Sequence, residues 1–190
     1  MNIHSKKLLS GSLVATLLSI PTMVAFAASD GSKGNTSAGN LVINANVPEK
    51  VQITKFTDID LEDLSHTGPT TKDDLLCVYS NKNGEYKLKV TSANEGFKLK
   101  SASSPADEIP YTVKYATSTE TIFDAATAVV YNTTIEEGLG NASATSTSCS
   151  GGHNSKLFIQ VAATDVESAI AHADYGDTLT ITVAGPNQTL

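Results

Sequence analysis

The chain contains no arginine; all 13 of its basic residues are lysines, set against 20 acidic ones. Arginine is the side chain best suited to bidentate recognition of phosphates and base edges. An acidic chain without it is a poor match for nucleic acid, and nucleic acid is not expected as a partner. Catalytic signatures are missing too. There is no H-E-x-x-H, no G-x-S-x-G, no phosphate-binding loop and no dinucleotide fingerprint. No catalytic residue is assigned, no cofactor is expected, and the chain does not read as an enzyme. Beyond the first 27 residues no stretch is apolar enough to cross a bilayer. Cysteine is scarce, with Cys77 and Cys149 alone.

What is present begins with an export signal. Lys6 and Lys7 precede an apolar stretch from Leu8 to Ile20, and Ala25-Phe26-Ala27 follows. That order is the secretory signature, and it places residues 1–27 in a cleaved peptide. Cleavage leaves 163 of the 190 residues and moves the formal charge from −7 to −9 with the loss of Lys6 and Lys7. An exported chain with two cysteines is expected to join them, Cys77 to Cys149. The localisation expected is secreted, from periplasm to cell surface.

Residues 28–40 are Ser, Gly, Asn and Lys with almost nothing apolar, and read as a flexible leader. Residues 41–190 then read as one domain. Leu41, Ile43, Ala45 and Val47 share one face of an extended segment. Leu75–Ser80 is a compact apolar run, and period-two alternation recurs at Val51–Phe56, Tyr86–Val90, Phe97–Leu99, Tyr111–Tyr115, Leu157–Val161 and Leu179–Val183. Alternation repeated between turn-rich breaks predicts antiparallel sheets with one buried face, and so many strands predict an all-β sandwich. Asn81-Lys82-Asn83-Gly84 predicts a tight turn pairing the strands on either side. Thr164 to Ala173 predicts one helix of two or three turns, opened by a Thr164/Glu167 capping box. Gly138 to Asn154 predicts a long loop held by the disulfide.

Three groups of polar residues are candidate sites. Asp58, Asp60, Glu62 and Asp63, with Asp73 and Asp74 nearby, form an acidic cluster that could hold Ca²⁺, although Asp63 stands where a calcium-loop glycine belongs. Alternation with Ile59 and Leu61 offers a solvent-facing strand as the simpler account. Lys87, Lys89, Lys98 and Lys100 would form a stripe for an anionic glycan if their strands adjoin; lysines that keep sheet edges apart are the plainer use. His66, His153 and His172 show no metal-ligand spacing. Cys149 and His153 bring a thiol near an imidazole, the pair a cysteine nucleophile needs, but catalytic Cys and His usually come from distant segments, and Cys77 offers the sulfur a structural role instead.

Three stretches resemble pilins of the bacterial chaperone–usher route, especially the spore coat U-like domain of archaic fimbriae. They are Leu75-Leu76-Cys77-Val78-Tyr79-Ser80 with Gly84 and Tyr86–Val90, Ile109–Tyr115, and Tyr175–Val183. The resemblance implies an immunoglobulin-like sandwich that lacks its last strand. It implies assembly by strand addition from a neighbour, with other pilus subunits and a periplasmic chaperone as partners. Leu41, Ile43, Ala45 and Val47 are the donor-strand candidate; the same segment could instead be the domain's own first strand. A monomeric sandwich that binds glycan or calcium is the alternative.

Overall fold

The computed structural model describes residues 28–136 and 139–190, so the export signal at 1–27 lies outside the described residues. The chain divides into two units, and the second starts at Val47. In the described part of the first, Ser29 and Asn40 exchange two backbone hydrogen bonds of 3.0 and 2.9 Å, closing the leader into an exposed loop. Residues 41–46 form no strand, and Leu41 and Ile43 are 71% and 86% exposed.

The second unit is almost entirely β. Its strands are β1 (Val51–Thr54), β2 (Thr70–Ser80), β3 (Lys87–Ser92), β4 (Lys98–Ser101), β5 (Glu108–Pro110) and β6 (Thr112–Ala116). There follow β7 (Thr127–Ala128), β8 (Thr134–Ile135), β9 (Ser155–Val161), β10 (Tyr175–Gly176) and β11 (Leu179–Ala184). One sheet runs β1-β2-β9-β6-β7; the other layer holds β10-β4-β5 and β11-β3-β8. Every strand pairing is antiparallel. The fold is an all-β antiparallel sandwich.

The alternation explains the packing. Leu76 and Val78 of β2, Leu88 and Val90 of β3, Val113 and Tyr115 of β6, and Leu157, Ile159 and Val161 of β9 all point into one core. Seven of these nine, Tyr115 among them, are wholly shielded from solvent, and each of the six aliphatic side chains contributes about 1.5–3 kcal/mol by leaving water. The phenols of Tyr86 and Tyr115 meet inside it at 2.8 Å, their rings edge to face. Burial and the neighbouring Tyr115 ring push Tyr86 far above its ordinary range, so it stays a neutral hydrogen-bonding group.

Three local expectations need correction. Asn83 and Gly84 do take positive φ, 55° and 77°, but β2 and β3 do not pair. Residues 139–143 pass between them instead. Tyr86 N–H donates to Leu139, Ala142 N–H to Gly84, and Ser143 N–H to Val78. A Cβ at Gly84 would lie 2.7 Å from the Ala142 carbonyl, so this close passage requires glycine. The turn therefore carries the chain from one layer to the other.

The helix is one turn, Ala163–Glu167, capped at Ala162 without a side-chain bond, so no Thr164/Glu167 capping box forms. Its Val166 is buried, while the Tyr175 hydroxyl donates to the Ile170 carbonyl and holds the following chain irregular. A lone short helix recovers little of its nucleation cost, and core packing decides its length. Finally, residues 55–69 form no strand. Lys55 and Glu62 adopt φ of 71° and 55°, and Ile59 and Leu61 pack half-buried on the core without a ladder.

Candidate functional site

The sandwich is unequally closed. β11 pairs with β3 along one edge, and its other edge pairs with no strand among the described residues. β1, at the end of the other sheet, is likewise an edge strand. Their inward residues are only half-buried: Val51 and Ile53 on β1, and Leu179, Ile181 and Val183 on β11. A groove of about 290 Å³ opens between the chain leaving β1 and the start of β11. Phe56, Ile59 and Leu61 form one wall, Leu179 and Ile181 the other, and Leu157, Ile159 and Leu99 the floor. A second hollow of about 620 Å³ continues it past Asp177 toward Ile109, Val166 and Tyr175.

Two carboxylates shape the groove. Asp74 is buried in β2 and accepts from Thr57 twice, from its hydroxyl at 2.5 Å and its N–H at 3.1 Å. These bonds pin the wall that carries Phe56 and Ile59. Asp177 accepts from the Tyr111 hydroxyl at 2.6 Å and from Ser92 at 2.7 Å, and so fixes the start of β11. Burial, and then the Asp177 carboxylate, hold the Tyr111 phenol protonated far above its usual range. Both carboxylates are structural ties with their acceptor capacity in use. The rest of the groove's lining is mainly apolar.

At the far end of β11 the chain enters the sandwich through a tight junction. The Asn81 side chain donates to the Pro48 carbonyl at 3.0 Å and accepts from Lys50 N–H at 2.7 Å, while Asn81 N–H donates to the Lys50 carbonyl at 3.1 Å. Glu49 packs against Gly185, accepts from the Asn187 amide, and lies 3.9 Å from Lys82. Its Oε2 is buried without a partner.

The remaining sequence candidates fall as follows. Cys77 and Cys149 are joined by a disulfide, which ties the 139–154 loop to β2. Lys55 caps that loop by donating to the Gly151 and Gly152 carbonyls. Among the candidate donor residues, Leu41, Ile43, Ala45 and Val47 are all exposed, Val47 by 79%. The four lysines do not form one stripe, because β3 and β4 belong to different sheets. Lys87 pairs with Glu136 at 2.6 Å, and Lys98 and Lys100 share Glu108 at 2.9 and 3.3 Å. Lys89 faces Thr134 and Thr182 across the sheet.

Asp58, Asp60, Glu62 and Asp63 lie along the irregular wall. Glu62 pairs with Lys72 at 2.8 Å, and Asp60 accepts from Glu62 N–H. Among the described residues no three His, Cys, Asp or Glu side chains converge as a metal site. His172 pairs with Asp107 at 2.8 Å and sits edge-on to Tyr175. Among the described residues no helix is long and apolar enough to cross a membrane.

The sequence reading missed the groove's polar ties. Asp74 looked like a member of the acidic surface because its neighbour Asp73 is one. The available signal was its spacing: two residues before Leu76 and four before Val78, it shares their inward face.

No family model matches the chain, and no curated protein does. A solved structure described as "Chaperone-tip adhesin complex is vital for synergistic activation of CFA/I fimbriae biogenesis" does resemble it, with a TM-score of 0.50 and 15% identity. The match covers 74% of this chain and 42% of that one, so this chain spans less than half the length of the protein it resembles. At that identity the likeness concerns the fold, and it agrees with an all-β antiparallel sandwich.

Proposed function

We propose that this chain is an exported, non-enzymatic fimbrial subunit of the pilin kind, whose open-sided sandwich takes up an added strand along β11. The observation that carries the reading is the unpaired outer edge of β11 beside a groove lined by half-buried Leu179, Ile181, Ile59 and Leu61. An edge strand offers a row of backbone donors and acceptors, and a groove beside it offers pockets at alternate positions. An extended strand with apolar residues at every second place satisfies both. Leu41, Ile43, Ala45 and Val47 have that spacing, and they are exposed. The likeness to a chain from a chaperone–tip adhesin complex supports the same direction.

In this reading the partners are other subunits, with a periplasmic chaperone covering the groove before assembly. The protein's place is the periplasm and then the cell surface. The test uses the mature chain from residue 28. Light scattering should show concentration-dependent oligomers, and an excess of synthetic peptide spanning residues 40–47 should shorten them. A chain that stays monomeric at every concentration and ignores the peptide would overturn the reading.

A further inference from the structure

We infer that Lys82, Glu49 and Asn187 form a self-modifying site: the Lys82 amine joins the Asn187 side chain in a covalent amide, ammonia is released, and Glu49 moves the protons. The inference is independent of strand addition and concerns the opposite end of β11.

One carboxylate oxygen stands between the two reacting groups. Glu49 Oε1 accepts from Asn187 Nδ2 and lies 3.9 Å from Lys82 Nζ. The other oxygen, Oε2, is buried with no donor, so an acceptor position is open on the same carboxylate. The three residues come from distant parts of the chain, and each backbone is fixed locally. Glu49 sits between Pro48 and Lys50, which are both bonded to the Asn81 side chain. Lys82 N–H donates to Ser80 Oγ at 3.3 Å, and Glu85 N–H donates to the Lys82 carbonyl at 2.9 Å. Gln188 N–H donates to the Gly185 carbonyl at 3.0 Å, closing a turn with Pro186 and Asn187 at its centre. Lys87 Nζ holds that turn by donating to the Gln188 carbonyl at 3.3 Å. Gly185 belongs to the site as well. It is not at positive φ, so the backbone does not require glycine there. Space does: a Cβ would lie 2.5 Å from Glu49 Oε2.

The chemistry is a transamidation. A carboxylate beside a lysine serves as the base that frees its amine, and one beside the leaving group serves as the acid. Glu49 touches both. It takes one proton from the Lys82 ammonium, and the neutral Nζ attacks Asn187 Cγ. The Cγ–Nζ bond forms and the carbonyl carbon becomes tetrahedral. Glu49 then gives its proton to Nδ2, the Cγ–Nδ2 bond breaks, and ammonia departs. The second Nζ proton leaves with the ammonia as ammonium, so Glu49 ends as it began and no oxidant or co-reactant is used. A side-chain amide is a poor acyl donor in open solution; holding amine and amide on one carboxylate supplies the proximity that the reaction needs. The product ties the chain just after β2, in one sheet, to the chain just after β11, in the other layer. Only β3 pairs with β11 among the described residues, so the bond would anchor a strand that has one ladder.

The experiment is intact-mass spectrometry of the folded mature chain, incubated at neutral pH until its mass stops changing, followed by tryptic mapping. The mass should settle one ammonia below that of the disulfide-bonded sequence, and the map should contain a branched peptide joining Lys82 to Asn187. Lys82→Ala and Glu49→Gln, each shown to be folded by circular dichroism, should both keep the full mass and lack the branched peptide. Two variants guard against either one misfolding. A folded mature chain that retains its full mass overturns the inference. So does an ammonia loss that persists in Lys82→Ala, because ring closure at Asn83-Gly84 would then be its source. A branched peptide that still forms in Glu49→Gln removes Glu49 from the mechanism and overturns the site as described. None of these results bears on strand addition, which oligomer formation tests separately.

Discussion

The two sides of this sandwich are built from the same kind of sequence and end in different states. On the closed side β9 is flanked by β2 and β6, and Leu157, Ile159 and Val161 are buried. On the open side β11 has an equally regular alternation, yet Leu179, Ile181 and Val183 stay half-exposed, and only Ala184 is buried. The difference is one of neighbours. A strand flanked on both edges and roofed by a facing sheet removes its inward face from water; a strand at an unroofed edge does not. Apolar alternation left half-buried at an edge is the surface on which the proposed strand addition depends.

The disulfide bears on the closed side and should give the largest effect. It spans 72 residues, and Cys77→Ala with Cys149→Ala should cost about 4 kcal/mol by the chain-entropy estimate. Urea unfolding should show it, and a loss under about 1 kcal/mol would mean that the 139–154 loop is held by its hydrogen bonds alone. Leu88→Ala should come next, at roughly 2–5 kcal/mol, because Leu88 is wholly buried. Ile181→Ala should cost the isolated subunit about 1 kcal/mol, since much of that side chain is already wet. Equal losses at Leu88 and Ile181 would erase the contrast between the two sides. If oligomers form, Ile181→Ala should weaken them more than it weakens the fold.

Asp74→Asn should loosen the groove wall by about 1–3 kcal/mol, because the buried carboxylate accepts twice from Thr57. Hydrogen exchange should rise at Phe56–Leu61 and leave β9 unchanged; a uniform rise would mean the effect is global. The smallest effect is that of pH. Ser104, and then His172, hold Asp107 below the ordinary carboxylate range, Lys98 does so for Glu108, and Ser101 for Asp174. Folded values below unfolded ones make a contribution that is present above about pH 4 and lost as pH falls through the lowered values. The urea midpoint should slip in that acid window. Asp174→Asn should flatten the slope, and an unchanged slope would remove Asp174 from the account.

Much of the fold was legible and little of the site was. β3, β6, β9 and β11 could be read directly, because a strand with one buried face writes that burial as a period of two. The pairing of β2 with β3 was misread because Asn83-Gly84 reports only local φ, while residues 139–143, more than 50 positions away, take the space between the strands. Asp74 was misread because a buried acid and an exposed one have the same letter. The lysines were placed on the right strands, but strand neighbours are set by topology, and β3 and β4 belong to different sheets.

The sequence by itself determined the all-β class, the positions of the long strands, the cysteine pair and the apolar spacing of 41–47. These follow from local steric preference, hydrophobic period and composition, which act on residues near one another in the chain. Only the tertiary structure decided which edge stays open, that Asp74 and Asp177 shape a groove beside it, and that Asn81 meets Pro48 and Lys50 at the entrance. Each of those depends on residues separated by dozens of positions. Their meeting is decided by how whole sheets pack, and no local pattern records it.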